Sequence, residues 1–322
     1  MIRIGTSGWR YPEWRQDFYP KGLPQRRELE YLAERVNSVE INGSFYSLQR
    51  PEYYRRWADQ TPDDFLFALK GSRFITHMKK LRDVQVPLAN FFASGPLALG
   101  QKLGPVLWQF PENMPLDPER FARFFDLLPR DTDEASKLAR KHDARVSGRS
   151  ALKSPHPKQL RHTVEVRTVC DPTFLDVLRE HDIGLVIADT AGRFPCAEEV
   201  TAGIVYLRLH GETELYGGGY APDSLARWAR KLRRWARSAD VYAYFDNDKH
   251  GRAPYDAIAL QREVDGKPSE HPSWKKKEEP APVRRKHQRF EDFLEGPSRE
   301  LGHWRGYRAG SAAARAKRSR KR

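Results

Sequence analysis

Eight short apolar runs separated by segments of helical periodicity recur along residues 1–266, and this rhythm restricts the fold more than any other feature of the chain. The runs are IRIG, SVEIN, FLFALK, PVLWQF, HTVEVR, GLVIAD, GIVYLRLH and DVYAYFDND. Between them lie PEYYRRWADQ, LANFFASGPLAL, DPERFARFFDLL, DPTFLDVLREH and PDSLARWARKLRRWAR. Strands that alternate with helices need right-handed crossovers and give a parallel sheet covered by helices. Eight such units in about 250 residues match a (β/α)8 barrel of the TIM type, in the α/β class. A doubly wound open sheet is the alternative, but no G-x-G-x-x-G follows the first run. Asp117-Pro118, Asp171-Pro172 and Pro222-Asp223 supply the capping residues and early prolines that start helices.

A closed barrel sorts alternate strand residues into a helix-facing set and an interior set. On the second run Val39 and Ile41 face the helices while Glu40 and Asn42 point inward. The fifth run gives Val164 and Val166 against Glu165 and Arg167. The seventh gives Val205, Leu207 and Leu209 against Tyr206, Arg208 and His210. Lys70 ends the third run, Gln109 lies on the fourth, Asp189 ends the sixth, and Asp246-Asn247-Asp248 ends the eighth. Barrel interiors are normally filled by branched apolar side chains, and burying an unpaired charge costs several kcal/mol. So many ionisable residues at carboxyl ends of strands therefore point to a ligand pocket on the face where barrel enzymes build their sites.

The inward carboxylates Glu40, Glu165 and Asp189 and the cations Lys70, Arg167 and Arg208, with His77 and His210, suit an anionic or polyhydroxylated ligand. Arg and Lys clamp phosphate or carboxylate, amides and carboxylates bind hydroxyls, and a Glu or His moves a proton. Glu40, Glu165 and His210 are accordingly the candidate catalytic residues. Asn42, Lys70, His77, Gln109, Arg167, Asp189, Arg208, Tyr220 and Asn247 are the candidate ligand-binding residues. Lys70, Arg208 and the loop Gly217–Gly219, which leads to a helix start near Asp223, form a candidate anion clamp. Trp9, Tyr11, Trp14, Phe18 and Tyr19, with Phe45 and Tyr46, either stack on sugars or bases or fold as a packed cover over the barrel mouth. Glu40, Glu165, Asp189, His77 and His210 are acceptable ligand types for a divalent metal. However, no His-x-x-x-His or Glu-x-x-His spacing occurs, so no metal site and no cofactor is assigned.

The segments GTSGWRYPEW, VEINGSFY, FLFALKGSRFITH, LGPVLWQFP, RHTVEVR, YLRLHG and YAYFDND with a later DAIAL resemble, in order, the motif series of the YecE-like family, or domain of unknown function seventy-two. The resemblance covers about residues 1–262 and implies a TIM-type barrel related in fold to the endonuclease IV and xylose isomerase group, with no reaction attached. FDND stands where that family usually has two asparagines, and a long basic insertion, about Arg130 to Lys158, precedes the fifth run. By analogy with that group the expected activity is that of a hydrolase or lyase on a phosphorylated or sugar-like compound.

The net charge is +14, and residues 267–322 carry 17 of the 57 Lys+Arg and only 7 of the 43 Asp+Glu. Ten of the fourteen net charges thus lie in a Pro-, Lys- and Arg-rich segment too poor in aliphatics to order itself, apart from a short helical patch at RFEDFLEG. This predicts a barrel domain over 1–266 followed by a disordered basic tail. The tail makes nucleic acid a second expected partner class, and a non-catalytic nucleic-acid-binding or ligand-sensing protein the alternative function. No apolar run is long enough to span a bilayer and Met1-Ile2-Arg3-Ile4-Gly5 lacks the pattern of a signal peptide, so no membrane partner and a cytoplasmic location are expected. Cys170 and Cys196 have no metal or disulfide spacing and are given no role.

Overall fold

Eight parallel strands close into a barrel in sequence order in the computed structural model of the protein, which describes residues 1–267. They are β1 (Ile2–Ser7), β2 (Ser38–Ile41), β3 (Leu66–Lys70), β4 (Leu103–Gln109), β5 (His162–Glu165), β6 (Ile183–Asp189), β7 (Ile204–Leu209) and β8 (Asp240–Phe245). The barrel closes where Ile2 to Thr6 pair with Val241 to Phe245. Around it lie α1 (Glu28–Ala33), α2 (Gly43–Tyr46), α3 (Pro51–Asp59), α4 (Gln85–Ala93), α5 (Pro118–Phe125), α6 (Thr132–Ala139), α7 (Pro172–Glu180), α8 (Pro222–Trp235) and α9 (Ala253–Val264). This is the TIM-type barrel that the rhythm of the sequence predicts. The tail and its RFEDFLEG patch lie outside the described residues. Among the described residues, no helix is long and apolar enough to cross a membrane.

Local chemistry explains the boundaries. Asp117 and Asp171 cap α5 and α7 through the backbone N–H of Arg120 and Phe174, at 3.2 and 2.8 Å. The run LANFFASGPLAL is not one helix: α4 stops at Ala93, Gly95 takes a φ of +135°, and a 3₁₀ turn follows from Pro96. A side chain at Gly95 would drive its Cβ to 2.4 Å from the Tyr54 ring, so only glycine fits this close turn. The basic insertion before β5 is folded around α6, whose cap Asp131 accepts from the N–H of Asp133 and Glu134. The β6–β7 connection, residues 190–203, contains no helix.

Two apolar layers follow from the period-2 alternation. The outward residues Val39, Ile41, Phe67, Leu69, Val106, Trp108, Val205 and Leu207 join the helices in the large core. The inward residues Leu66, Ala68, Leu107, Val186, Ala188, Ile204, Tyr206, Tyr242 and Tyr244 form a separate plug inside the barrel. Above that plug, toward the carboxyl ends, the inward positions become polar: Ser7, Glu40, Lys70, Gln109, Glu165, Arg208 and His210 are all buried.

Candidate active site at the carboxyl end of the barrel

Arg208 is the hub of the inward polar layer, and it is 1% exposed. Its guanidinium forks onto Glu40, with Nε donating to Oε2 at 3.1 Å and Nη2 to Oε1 at 2.8 Å. Nη1 donates to Glu165 Oε2 at 2.9 Å, and Nη2 also reaches Ser7 Oγ at 2.9 Å and Asp246 Oδ2 at 3.1 Å. A planar fork with five N–H groups is the side chain able to join acids from β2, β5 and the end of β8 at once. Glu40 is further closed by the hydroxyls of Ser7 and of Tyr206, the latter at 2.6 Å. Asn42 Nδ2 donates to Ser7 Oγ at 2.9 Å.

The charges are set by this arrangement. Burial alone would raise the carboxyls of Glu165 and Asp246, but the attraction of Arg208, joined by His210 and Lys70, holds both down at about 2. His210 Nδ1 stands 3.1 Å from Asp246 Oδ2, and its ring meets Tyr216 edge-on at 5.2 Å. Nearer to solvent, Arg167 Nε lies 3.7 Å from Glu165 Oε1, and its guanidinium covers the Phe194 ring at 4.7 Å. Among the described residues, half-buried Arg73 has no ion pair. The charge of Arg73, with that of Lys70 and with burial first, pushes His77 down to about 4, leaving it neutral at pH 7. His77 Nδ1 is 2.8 Å from the Thr76 hydroxyl. Gln109 is buried beside Glu165, its register partner.

Glu40, Asn42, Lys70, Gln109, Glu165, Arg167, Arg208 and His210 therefore share the barrel mouth, with His77 beside them on the loop after β3. Several expectations need correction. Glu40, read as catalytic, is enclosed by four donors at the floor of the cluster and has no side open to a ligand. Arg208, read as an anion clamp, is already neutralised by three carboxylates. Asp189 and Asn247 are not inward: they share the strand face of Ile187 and of Ala243 and Phe245, which belong to the outer core. Asp189 accepts from Tyr220 OH at 3.1 Å, and Asn247 donates to Asp256 Oδ2 at 2.7 Å and to Gly218 O at 2.9 Å. Tyr220, 2% exposed with its ring against Phe245, belongs to the same outer network. Nor is the α8 N-terminus open to an anion, since Glu212 accepts there from Ala221 N at 2.8 Å and from the Ser224 hydroxyl. The cap of α8 is Ala221, with Asp223 inside the helix.

The aromatic first loop resolves into the packed cover. Trp9, Trp14, Phe18 and Tyr19 are at most 6% exposed. Trp14 Nε1 donates to Asp248 Oδ1 at 3.0 Å, and Tyr19 OH to Trp9 O at 2.7 Å. Burial and the neighbouring Asp246 keep the Asp248 carboxyl far above its usual range. Residues two apart on the β8 extension are thus shifted in opposite directions. Ser7, Tyr206, Asp246 and Arg73 are site residues outside the sequence-based selection. Tyr206, Asp246 and Ser7, the last opposite in parity to outward Ile4, carried a signal in their inward parity, whereas Arg73 carried none. Among the described residues, no group of three or more His, Cys, Asp or Glu is arranged to hold a metal ion.

A family model described as protein of unknown function DUF72 matches residues 3–282. The UPF0759 protein YecE of Escherichia coli is 33% identical over 129 residues, 36% of this chain and 45% of YecE. The UPF0759 protein YunF of Bacillus subtilis is 28% identical over 116 residues, 34% of this chain and 40% of YunF, so the chain aligns with less than half of either relative. A DUF72 family protein of known structure from Thermotoga maritima superposes with a TM-score of 0.64 at 23% identity, over 82% of this chain and 99% of that one. Another, from Enterococcus faecalis, gives 0.62 at 18%, over 82% and 96%. At those identities the likeness is one of fold. With the family match spanning most of the chain and the motifs in their expected order, the protein belongs to the DUF72 family.

Proposed function

We propose that the protein is an enzyme that binds a small anionic compound, phosphate-bearing or sugar-like, at the carboxyl end of its barrel and acts on it as a hydrolase or lyase. One observation carries this reading. Arg208 absorbs Glu40, Glu165 and Asp246, so Lys70, Arg73 and Arg167 surround the mouth with no carboxylate of their own beyond the shared Glu165. Cations left in excess at a concave rim attract an anion and, partly desolvated, bind it more strongly than they would in open water. Asp246, with 18% of its side chain exposed, is the carboxylate of the Arg208 cluster that reaches the mouth, and His210 Nδ1 lies 3.1 Å from it. Calorimetric titration with inorganic phosphate tests the reading. Arg167→Met and Arg73→Met should each weaken binding by about 1.5–3 kcal/mol, roughly tenfold to a hundredfold. No binding by the unaltered protein, or three identical titrations, would overturn it.

A second reading, nucleic-acid binding through residues 267–322, rests on the charge of that segment. Neutralised phosphates release counterions, so affinity for a mixed-sequence duplex should fall steeply with salt for the full chain. Equal affinity after truncation at residue 266 would count against it.

A further inference from the structure

Lys70 and Lys102 are both buried, 8% and 7% exposed, and they are held in opposite ways. Lys102 Nζ donates to the carbonyls of Ala58 and Thr61 at 2.6 and 2.7 Å and reaches Thr61 Oγ1 at 3.4 Å, the arrangement that makes a buried ammonium tolerable. Lys70 Nζ has no hydrogen-bond acceptor among the described residues; its nearest defined partner is the face of the Phe45 ring, 4.6 Å to the centroid. The carboxylates that would be its natural partners are committed to Arg208.

The base of this side chain is nevertheless tightly fixed. The Ser44 hydroxyl donates to Lys70 O at 2.7 Å, and Gly71 N–H donates to Leu107 O at 2.8 Å. A Cβ on Gly71 would lie 2.3 Å from the Trp108 ring, so the turn that aims Lys70 into the barrel mouth accepts no side chain after it. Phe45 is held edge-on by His77 at 5.2 Å. A lysine at the end of a barrel strand, rigid at its base, unbonded at its tip and beside a second cation, is the setting in which an amine serves as a nucleophile.

We infer that Lys70 forms an imine with an aldehyde or ketone that carries an anionic group. This deepens, and rests on, the anion-binding reading of the mouth: Arg73 and Arg167 hold the anion while Nζ meets the carbonyl carbon. The Nζ lone pair forms the C–N bond as the C=O π electrons move to oxygen, giving a carbinolamine. The oxygen then leaves as water with both amine hydrogens, and the C=N bond remains. No oxidant or reductant is needed. Burial, reinforced by the charge of Arg208, pushes the Lys70 ammonium down to about 8, which supplies free amine near neutral pH.

Borohydride trapping of the full chain tests this with two small aldehydes of similar size, anionic glyoxylate and neutral glycolaldehyde, the labelled lysine being located by peptide mass mapping. A pKa about two units below the ordinary value raises the free-amine fraction roughly a hundredfold near pH 7, and lower basicity takes back part of it. Lys70 should therefore be labelled by glyoxylate about tenfold faster than exposed Lys21, faster than by glycolaldehyde, and more slowly when inorganic phosphate is added. Lys70→Arg should abolish this label. Labelling of Lys70 no faster than of Lys21, in protein that still binds phosphate, would overturn the imine and leave the anion reading intact. Rapid labelling by both aldehydes alike, without phosphate binding, would overturn the anionic substrate class and leave the nucleophile.

Discussion

Inside the barrel, Glu40, Glu165 and Asp246 converge on one guanidinium. Just outside it, where β6, the loop after β7 and α9 meet, Asp189 and Asp256 are hydrogen-bonded by neutral donors, the Tyr220 hydroxyl and backbone N–H and the Asn247 amide. Both networks are largely buried and both are built from acids on strand ends or helices, yet Glu165 and Asp246 shift down while Asp189 and Asp256 shift up. Glu165 and Asp246 are held near 2 because a full positive charge outweighs their desolvation. The outer ones rise because burial outweighs what neutral donors offer, Asp256 to about 7 with its Oδ1 left without a partner. Burial by itself thus decides nothing about ionisation; the presence of a matched cation does. The inner network keeps charge available at the mouth, and the outer one anchors the glycine loop.

The most severe way to break this contrast is to remove the cation. Arg208→Met leaves three buried carboxylates uncompensated and should cost about 3–5 kcal/mol of stability at neutral pH, measured by urea unfolding. A loss below about 1 kcal/mol would mean that the acids relax or protonate without consequence and that Arg208 is no hub.

A milder perturbation uses pH and separates the two networks by sign. Asp256 has a folded pKa above its unfolded one, so its stabilising contribution is complete below about 4 and is lost as pH rises through about 7. It faces Asn247, the Tyr220 amide, Arg252 and, at longer range, Glu212. Raising pH from 6 to 8 should remove about 1.4 kcal/mol and lower the amide-exchange protection factors around Gly218 and Tyr220; Asp256→Asn should abolish both effects. Glu165 and Asp246 have depressed values, so their contribution persists throughout that range and fades only as pH falls below about 4 toward 2. An Asp256→Asn protein with unchanged pH dependence would assign the effect to another group.

Much of the fold was legible because its determinants are local. Strand–helix alternation, proline and aspartate at helix starts, and period-2 sorting place Glu40, Lys70, Glu165 and Arg208 on the interior without any knowledge of neighbours. The same counting, applied strictly, excludes Asp189 and Asn247, which share parity with the outward Ile187 and Phe245. They looked like site residues only because they end their strands. Ser7 is inward by the same counting, but its importance lies in bonds to Asn42 of β2's end and Arg208 of β7, contacts set by barrel closure and register. The saturation of Glu40 is equally non-local, since its four donors come from β1 and β7.

The bond from Trp14 to Asp248 joins residues 234 positions apart, the cover of the mouth to the extension of the last strand. During synthesis the aromatic cover emerges from the ribosome early and its anchor comes out near the end of the barrel, so Trp14 spends most of translation without Asp248 and Phe18 without Tyr255. Contacts of such long separation form late, and until they do the exposed rings are a liability for self-association. The nascent chain, more than the finished barrel, is therefore where these rings are open to self-association.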